Sequence, residues 1–438
     1  MKITTAVLAA TISTLAVSAS FAQERVEVQF WHAMGGQLGE RVDQFASDFN
    51  ATQDEFTVVP VYQGDYTDTM TSAIAAFRAG EQPHIVQVFE VGTATMMSAA
   101  GNGAIYPVHQ LFEDSGLAFD ESAYLPAVIS YYSDTDGNLL SLPFNSSTPV
   151  LWHNITLLEE NGLEVPTTWD EVWEAARVLK AAGVPSPVGF GWQSWTQIEN
   201  YSAWHDIQIG TMSNGFGGLG TELTINNEAV VNHIQQIADA GEEGLFTYGG
   251  RRGDSRPMFV NGETAMWINS SAYYGGFVND IQDFEFSQAP MPYDPDVRAE
   301  PQNSVIGGAT LWVLQGHEAD EYRGAAEFLA FLSTAEQQAD WAGSTGYVPI
   351  TTEAYELMSE QGFFAENPGT DVAIEQLSLN QPTANSAGLR FGNFVQIRDV
   401  INEELEAVWS GNKSAQEALD AAVERGNELL RRFEDANG

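Results

Sequence analysis

There is no cysteine among the 438 residues. That absence removes disulfides, thiolate metal ligands and cysteine nucleophiles together. Positive charge is scarce: 17 Lys+Arg stand against 60 Asp+Glu, a formal net charge of −43. Such a surface repels nucleic acid and anionic lipid, so neither is an expected partner. It says little about a binding site, because net charge is screened within about 8 Å at physiological ionic strength. It does leave few residues to serve as counter-ion to an anionic ligand. Serine nucleophile elbows and HExxH are missing. The seven histidines are scattered without metal-ligand spacing. No metal or cofactor is expected. Carboxylates are too many to single out a catalytic pair, so glycoside hydrolysis stays open.

What is present points to export of a large protein. Lys2, the apolar stretch Thr4 to Val17 and Ser20-Phe21-Ala22 read as a cleaved secretory signal over residues 1–22, with the mature chain starting near Gln23. No later segment is apolar and long enough to span a bilayer. The expected location is the periplasm. At 44% hydrophobic, the chain can bury a large core and is too long for one compact domain, so two lobes are expected.

Strand and helix patterns alternate early. Val26 to Phe30 reads as a strand, and Leu38, Val42, Phe45 and Phe49 recur at helical spacing. Val58 to Tyr62 is a strand, Met70, Ile74 and Phe77 mark a helix, and Ile85 to Phe89 is a third strand. Alternation of this kind predicts an α/β fold with a mainly parallel sheet and ligands beyond the strands' carboxyl ends. Asp136-Gly137 signals a hairpin turn. Asp134-x-Asp136 suggests a calcium loop, but its twelfth position is Asn145 rather than Glu. Thr168-x-x-Glu171 and Ser414-x-x-Glu417 are capping boxes that open helices, and Asn227 to Ala240 has helical spacing. Gly215 to Gly220 matches GxGxxG, yet no strand precedes it and no helix follows, so it reads as a loop.

The segment Pro143 to Asn154 joins two prolines, three small hydroxyl residues and the apolar run Val150-Leu151-Trp152. Proline denies a helix here, and the apolar run reads as a strand. It is either a polar loop before a buried strand or the place where the chain crosses between lobes. Val305 to Ala309, before the strand Leu311 to Leu314, is a second candidate crossing, and Gly346 to Pro349 a weaker third. His153 lies in an apolar strand and reads as a packed core residue. What remains at predicted element ends is a set of aromatic, hydroxyl, glycine and arginine residues. Such a set suits a small polar ligand that is bound and not changed.

Several stretches carry a family likeness. Phe259-x-x-Gly262-x-x-Ala265-Met266 and Pro166-Thr167-Thr168-Trp169 resemble the extracellular solute-binding proteins of ABC importers, the family that includes maltose-binding protein. FWHAMGGQLG (30–39), VFEVGTATMM (88–97), LPFNSSTPVLWHN (142–154), PQNSVIGGATLWVLQG (301–316), TGYVPIT (345–351), LRFGNFVQIR (389–398) and VERGNELLRRFE (423–434) resemble its glycerol-3-phosphate-binding group more closely. The resemblance implies a two-lobed α/β periplasmic binding protein with an interlobe cleft and hinge crossings. It implies lobe 1 from 23–147 and 306–365, and lobe 2 from 148–305 and 366–438. It implies a monomer that captures an organophosphate, sn-glycerol-3-phosphate or a diester such as glycerophosphocholine, and delivers it to membrane permease subunits without catalysis.

The site implied by the resemblance contains Tyr66, Glu90, Ser147, Trp192, Trp195, Ser270, Gly308, Tyr347 and Arg398. Arg398 is expected to hold the phosphate with its planar fork. Its alternative is a surface ion pair with Glu403 or Glu404. Ser147, Ser270, Tyr66 and Tyr347 would donate hydrogen bonds, Gly308 would admit the ligand to the backbone, and Glu90 would accept from glycerol hydroxyls. Trp192 and Trp195 would face a choline group, since indole faces attract a quaternary ammonium; otherwise they are core residues on one helical face. Trp267 departs from the smaller residue expected there and would narrow the pocket or pack in a lobe core. Two other readings stay open: an oligosaccharide-binding protein of the same fold, and an exported glycosidase or phosphodiesterase.

Overall fold

The computed structural model describes residues 25–438, so the expected signal segment and the start at Gln23 lie outside the described residues. Among the described residues, ten strands form two sheets. The strands are β1 Val26–His32, β2 Phe56–Tyr62, β3 Ile85–Phe89, β4 Ile105–Tyr106, β5 Leu142–Ser147, β6 Pro149–Asn154, β7 Val188–Phe190, β8 Met266–Ser270, β9 Phe286–Ala289 and β10 Gly307–Leu314. β1 buries Val28, Phe30 and His32 and turns the residues between them outward, the period of a strand with one covered face. Helix Gly36–Thr52 covers that sheet with Val42, Phe45, Ala46 and Phe49, one stripe at helical spacing. Both predicted capping boxes form, at Thr168/Glu171 and Ser414/Glu417, and open helices Trp169–Ala181 and Ala415–Asn437.

The first lobe is built on a six-stranded sheet of order β2-β1-β3-β10-β4, with β5 also paired to β10. β1 runs parallel to β2 and β3, as the alternation predicts. β10 runs antiparallel to β3, β4 and β5, so the sheet is mixed and not mainly parallel. The cause is connectivity. β10 is not the next unit of a local strand–helix series; it returns from the second lobe and enters the sheet from the opposite end. The second lobe holds a four-stranded sheet of order β7-β8-β6-β9. There β8 is parallel to β7 and β6 is antiparallel to both β8 and β9.

Only Thr148 separates β5 of the first sheet from β6 of the second. The polar segment before Val150 is thus itself a strand, buried throughout. Thr148 Oγ1 donates to Ser304 Oγ at 2.6 Å, and Gly307 pairs with Ser147, so the two passages lie side by side. Val348 N–H donates to the Ser146 carbonyl at 2.7 Å, which brings the Gly346–Pro349 turn to the same place.

Several other expectations find their places here. His153 is buried in β6, and that burial lowers its pKa. Trp267 is fully buried, stacks on Phe259 with ring centroids 6.0 Å apart and donates its indole N–H to Ser255 Oγ at 2.9 Å. It packs in the lobe core. Asp134 accepts from the backbone N–H groups of Asp136 and Asn138, each at 2.9 Å, which is turn chemistry and not a cation loop. Residues 215–220 form turns that no helix follows. Among the described residues, no helix is long and apolar enough to cross a membrane.

Candidate functional site: a cavity between the two lobes

A cavity of about 290 Å³ opens between the lobes. Tyr66, Glu90, Ser147, Trp192, Trp195, Ser270, Gly308, Tyr347 and Arg398 all line it. Five of them come from the ends of elements. Tyr66 opens helix Tyr66–Ala79, Glu90 follows β3, Ser147 ends β5, Ser270 ends β8 and Gly308 lies near the start of β10. Tyr66 is stacked on Phe89 at 5.3 Å and accepts from Asn145 Nδ2 at 2.8 Å. Asn145 Oδ1 in turn accepts from Gln87 Nε2 at 2.8 Å. Tyr347 is stacked on Trp341 at 5.5 Å. Burial pushes both phenols above their usual range, so each remains a neutral O–H.

The floor is made by glycines. Gly308 has φ +110, and a Cβ there would fall 1.8 Å from the Asn145 carbonyl oxygen. A Cβ on Gly307 would fall 2.5 Å from the Trp195 indole. The backbone therefore reaches the cavity at a point no other residue could occupy. β10 also shifts register against β5 between Ala309 and Thr310.

The two tryptophans do not share a helical face. Trp192 has a left-handed backbone, φ 46, and Trp195 begins a π-helical segment, Trp195–Asn200. Such turns are frequent at functional sites. Trp195 is only 4% exposed while Trp192 is half-buried, so they form a wall with one deep and one outer indole.

Arg398 differs from its expected role. Its Nε and Nη2 both donate to Glu199, at 2.7 and 2.6 Å, and Nη2 also lies 2.7 Å from Glu90 Oε1. All three side chains are nearly dry, 7% or less exposed. The fork is thus spent on Glu199, and its partners are neither Glu403 nor Glu404. Nη1 has no hydrogen-bond partner among the described residues. Burial raises the pKa of Glu90, Arg398 opposes that, and Glu199 adds to it, with the net result above the ordinary value. One cation between two carboxylates gives the deep end a formal charge of −1, which a raised Glu90 pKa relieves.

A model of bacterial extracellular solute-binding proteins matches residues 44–370. This chain belongs to that family. It is 46% identical over 432 residues to the sn-glycerol-3-phosphate-binding periplasmic protein UgpB of Pectobacterium atrosepticum, covering 98% of this chain and 96% of the relative. It is 48% identical over 431 residues to the protein of the same name from Yersinia enterocolitica, covering 97% and 96%. Among solved structures, it is similar to UgpB from Mycobacterium tuberculosis in complex with glycerophosphocholine, with a TM-score of 0.78, 21% identity and coverage of 93% and 98%. Maltose-bound MalE3 of T. maritima is similar too, with a TM-score of 0.75, 18% identity and coverage of 92% and 100%. At those identities the two structures establish the two-lobed fold.

This solute-binding protein carries three site residues that sequence reasoning missed. Glu199 holds Arg398, while Asp65 and Arg252 stand at the cavity mouth and pair with each other. Asp65 had a readable signal, as the capping residue of helix Tyr66–Ala79. Glu199 lies one turn beyond Trp195 in the aromatic segment, but nothing local marks it as a partner of Arg398, 199 residues away.

Proposed function

We propose that this chain is the solute-binding subunit of an ABC importer and captures sn-glycerol-3-phosphate and glycerophosphodiesters such as glycerophosphocholine in the periplasm. The observation that carries the reading is convergence: the residues chosen for phosphate, glycerol and choline contacts line one cavity. Near-half identity to relatives named as sn-glycerol-3-phosphate-binding periplasmic proteins supports it over the whole chain. The cavity, about 290 Å³, is close to the lower end of the usual small-ligand range of about 300–1,000 Å³. A phosphate would meet the free Nη1 edge of Arg398 and the neutral donors Ser147, Ser270, Tyr66 and Tyr347. A quaternary ammonium would meet Trp192 and Trp195.

We also assign the lobes to 23–147 with 306–365, and to 148–305 with 366–438, closing about the paired passages at Thr148 and Gly307. The protein acts as a monomer that hands its ligand to membrane permease subunits and leaves it chemically unchanged. Calorimetry in phosphate-free buffer tests the reading. Heat is expected with glycerol-3-phosphate and glycerophosphocholine and none with maltose; heat with maltose alone would sink it. Ligand recovered unaltered after long incubation is expected, and saturable product formation would overturn the non-catalytic part.

A further inference from the structure

The mouth of the cavity holds an ion pair that joins the two lobes. Asp65 belongs to the first lobe and precedes helix Tyr66–Ala79. Its Oδ1 accepts from the backbone N–H groups of Thr67 at 2.8 Å and Asp68 at 3.0 Å. Its other oxygen is left for Arg252 of the second lobe, whose Nη1 donates to it. Arg252 Nη2 also reaches Thr67 Oγ1 at 3.5 Å. The same guanidinium lies 5.7 Å from the ring centre of Trp192. Trp192 and Arg252 are further tied by a backbone bond, N–H of Trp192 to the carbonyl of Arg252 at 2.8 Å. Both have left-handed backbones, with φ 46 and 55. Side chains rarely hold that conformation unless surrounding contacts impose it.

We propose that Asp65 and Arg252 form a latch across the cleft, and that Arg252 is a positioning residue that holds the Trp192 indole against the ligand when the lobes are shut. The assignment rests on the ligand reading given above and names the device that couples closure to recognition of the choline end. The carboxylate is preset by its helix cap, so the latch needs only the approach of Arg252. Both side chains are more than two-fifths exposed, 43% and 42%. A wet pair of this kind is weak, as a latch must be that opens for ligand entry. Arg252 and Arg398 are the cations lining the cavity. The rival role for Arg252 is therefore direct contact with the ligand's phosphate, and it predicts the opposite result for Asp65.

The test is ligand release by stopped flow, with glycerophosphocholine and glycerol-3-phosphate, from the wild type, Asp65→Asn, Arg252→Gln and the double variant. Asparagine keeps the helix cap. The latch predicts glycerophosphocholine release about two- to fivefold faster in each single variant, the range an exposed pair supports. It predicts that the double variant is no faster than Arg252→Gln, because the two residues act as one unit. Arg252→Gln should affect glycerophosphocholine more than glycerol-3-phosphate. Slower release from Asp65→Asn would mean that Arg252 contacts the phosphate itself and would overturn the latch. Unchanged release in both single variants would overturn it as well. Wild-type protein that binds neither ligand would overturn the ligand reading beneath it.

Discussion

Arg398 and Arg252 each reach a carboxylate that follows a strand of the six-stranded sheet, Glu90 after β3 and Asp65 after β2, and their surroundings separate their roles. Arg398 is dry and shared between Glu90 and Glu199. Arg252 is wet and meets Asp65 alone as its ionic partner. Removing charge from water is costly, so the deep group must remain paired at all times, and it acts as a fixed part of the pocket. An exposed pair costs little to break and remake. The lesson is that an arginine in a binding cleft also serves the protein's own architecture, and its hydration decides whether it is frame or moving part.

The largest expected effect breaks the deep group. Arg398→Ala leaves Glu90 and Glu199 facing each other without a cation, and should lower unfolding stability by about 3–5 kcal/mol even without ligand. Urea denaturation of the unliganded protein measures this. A loss of ligand affinity with unchanged stability would instead leave Arg398 with ligand contact through Nη1 as its sole role. Next, changing both Trp192 and Trp195 to Ala should weaken glycerophosphocholine by about 1–4 kcal/mol, from about 0.5–2 kcal/mol per indole, and glycerol-3-phosphate less. Equal losses for the two ligands would assign the indoles to pocket shape alone.

Acidity separates the deep and outer carboxylates by sign. The pKa of Glu90 is raised by burial above its ordinary 4.5, so its contribution to stability is full below that value and is lost as pH rises through the folded value. Burial works against Asp65, but the Arg252 guanidinium and two helix N–H groups outweigh it and hold its carboxyl below the ordinary 3.8. Its contribution is present above 3.8 and is lost as pH falls through the folded value. Thermal melts from pH 4 to pH 7 should therefore show Glu90→Gln gaining on the wild type as pH rises. A constant difference across that range would contradict the shift. The smallest effect comes from an exposed control. Arg177 makes two hydrogen bonds to Glu243, at 2.8 and 3.0 Å, yet Arg177→Ala should leave the urea midpoint nearly unchanged. A larger loss would blur the distinction between wet and dry pairs.

Much of the fold was legible because its signals are local. Capping boxes lie three residues apart and helix stripes repeat within a turn, so Thr168/Glu171 and the Val42–Phe45–Phe49 face could be read directly. The direction of β10 was not, because it is set by a chain path that leaves the sheet at Ser147 and returns at Gly307. The site was legible only through family resemblance: nothing at Tyr347 or Ser270 alone distinguishes a ligand contact from turn or core chemistry. Two features escaped even that. Arg252 meets Asp65 across 187 positions, and the left-handed backbones of Trp192 and Arg252 are imposed by tertiary contact. A conformation that a residue does not itself favour leaves no trace in its identity.

The glycine floor has a bearing on how such a protein changes over generations. A carbon added at Gly308 would fall on the Asn145 carbonyl, and one added at Gly307 on the Trp195 ring. Trp192 and Arg252 stand at the rim, partly in solvent, where a shortened side chain strikes nothing. A larger side chain thus meets more steric resistance at the floor than at the rim. A descendant drawn to a different head group is free to alter what the outer wall reads, while it inherits unaltered the surface on which the rest of the molecule rests.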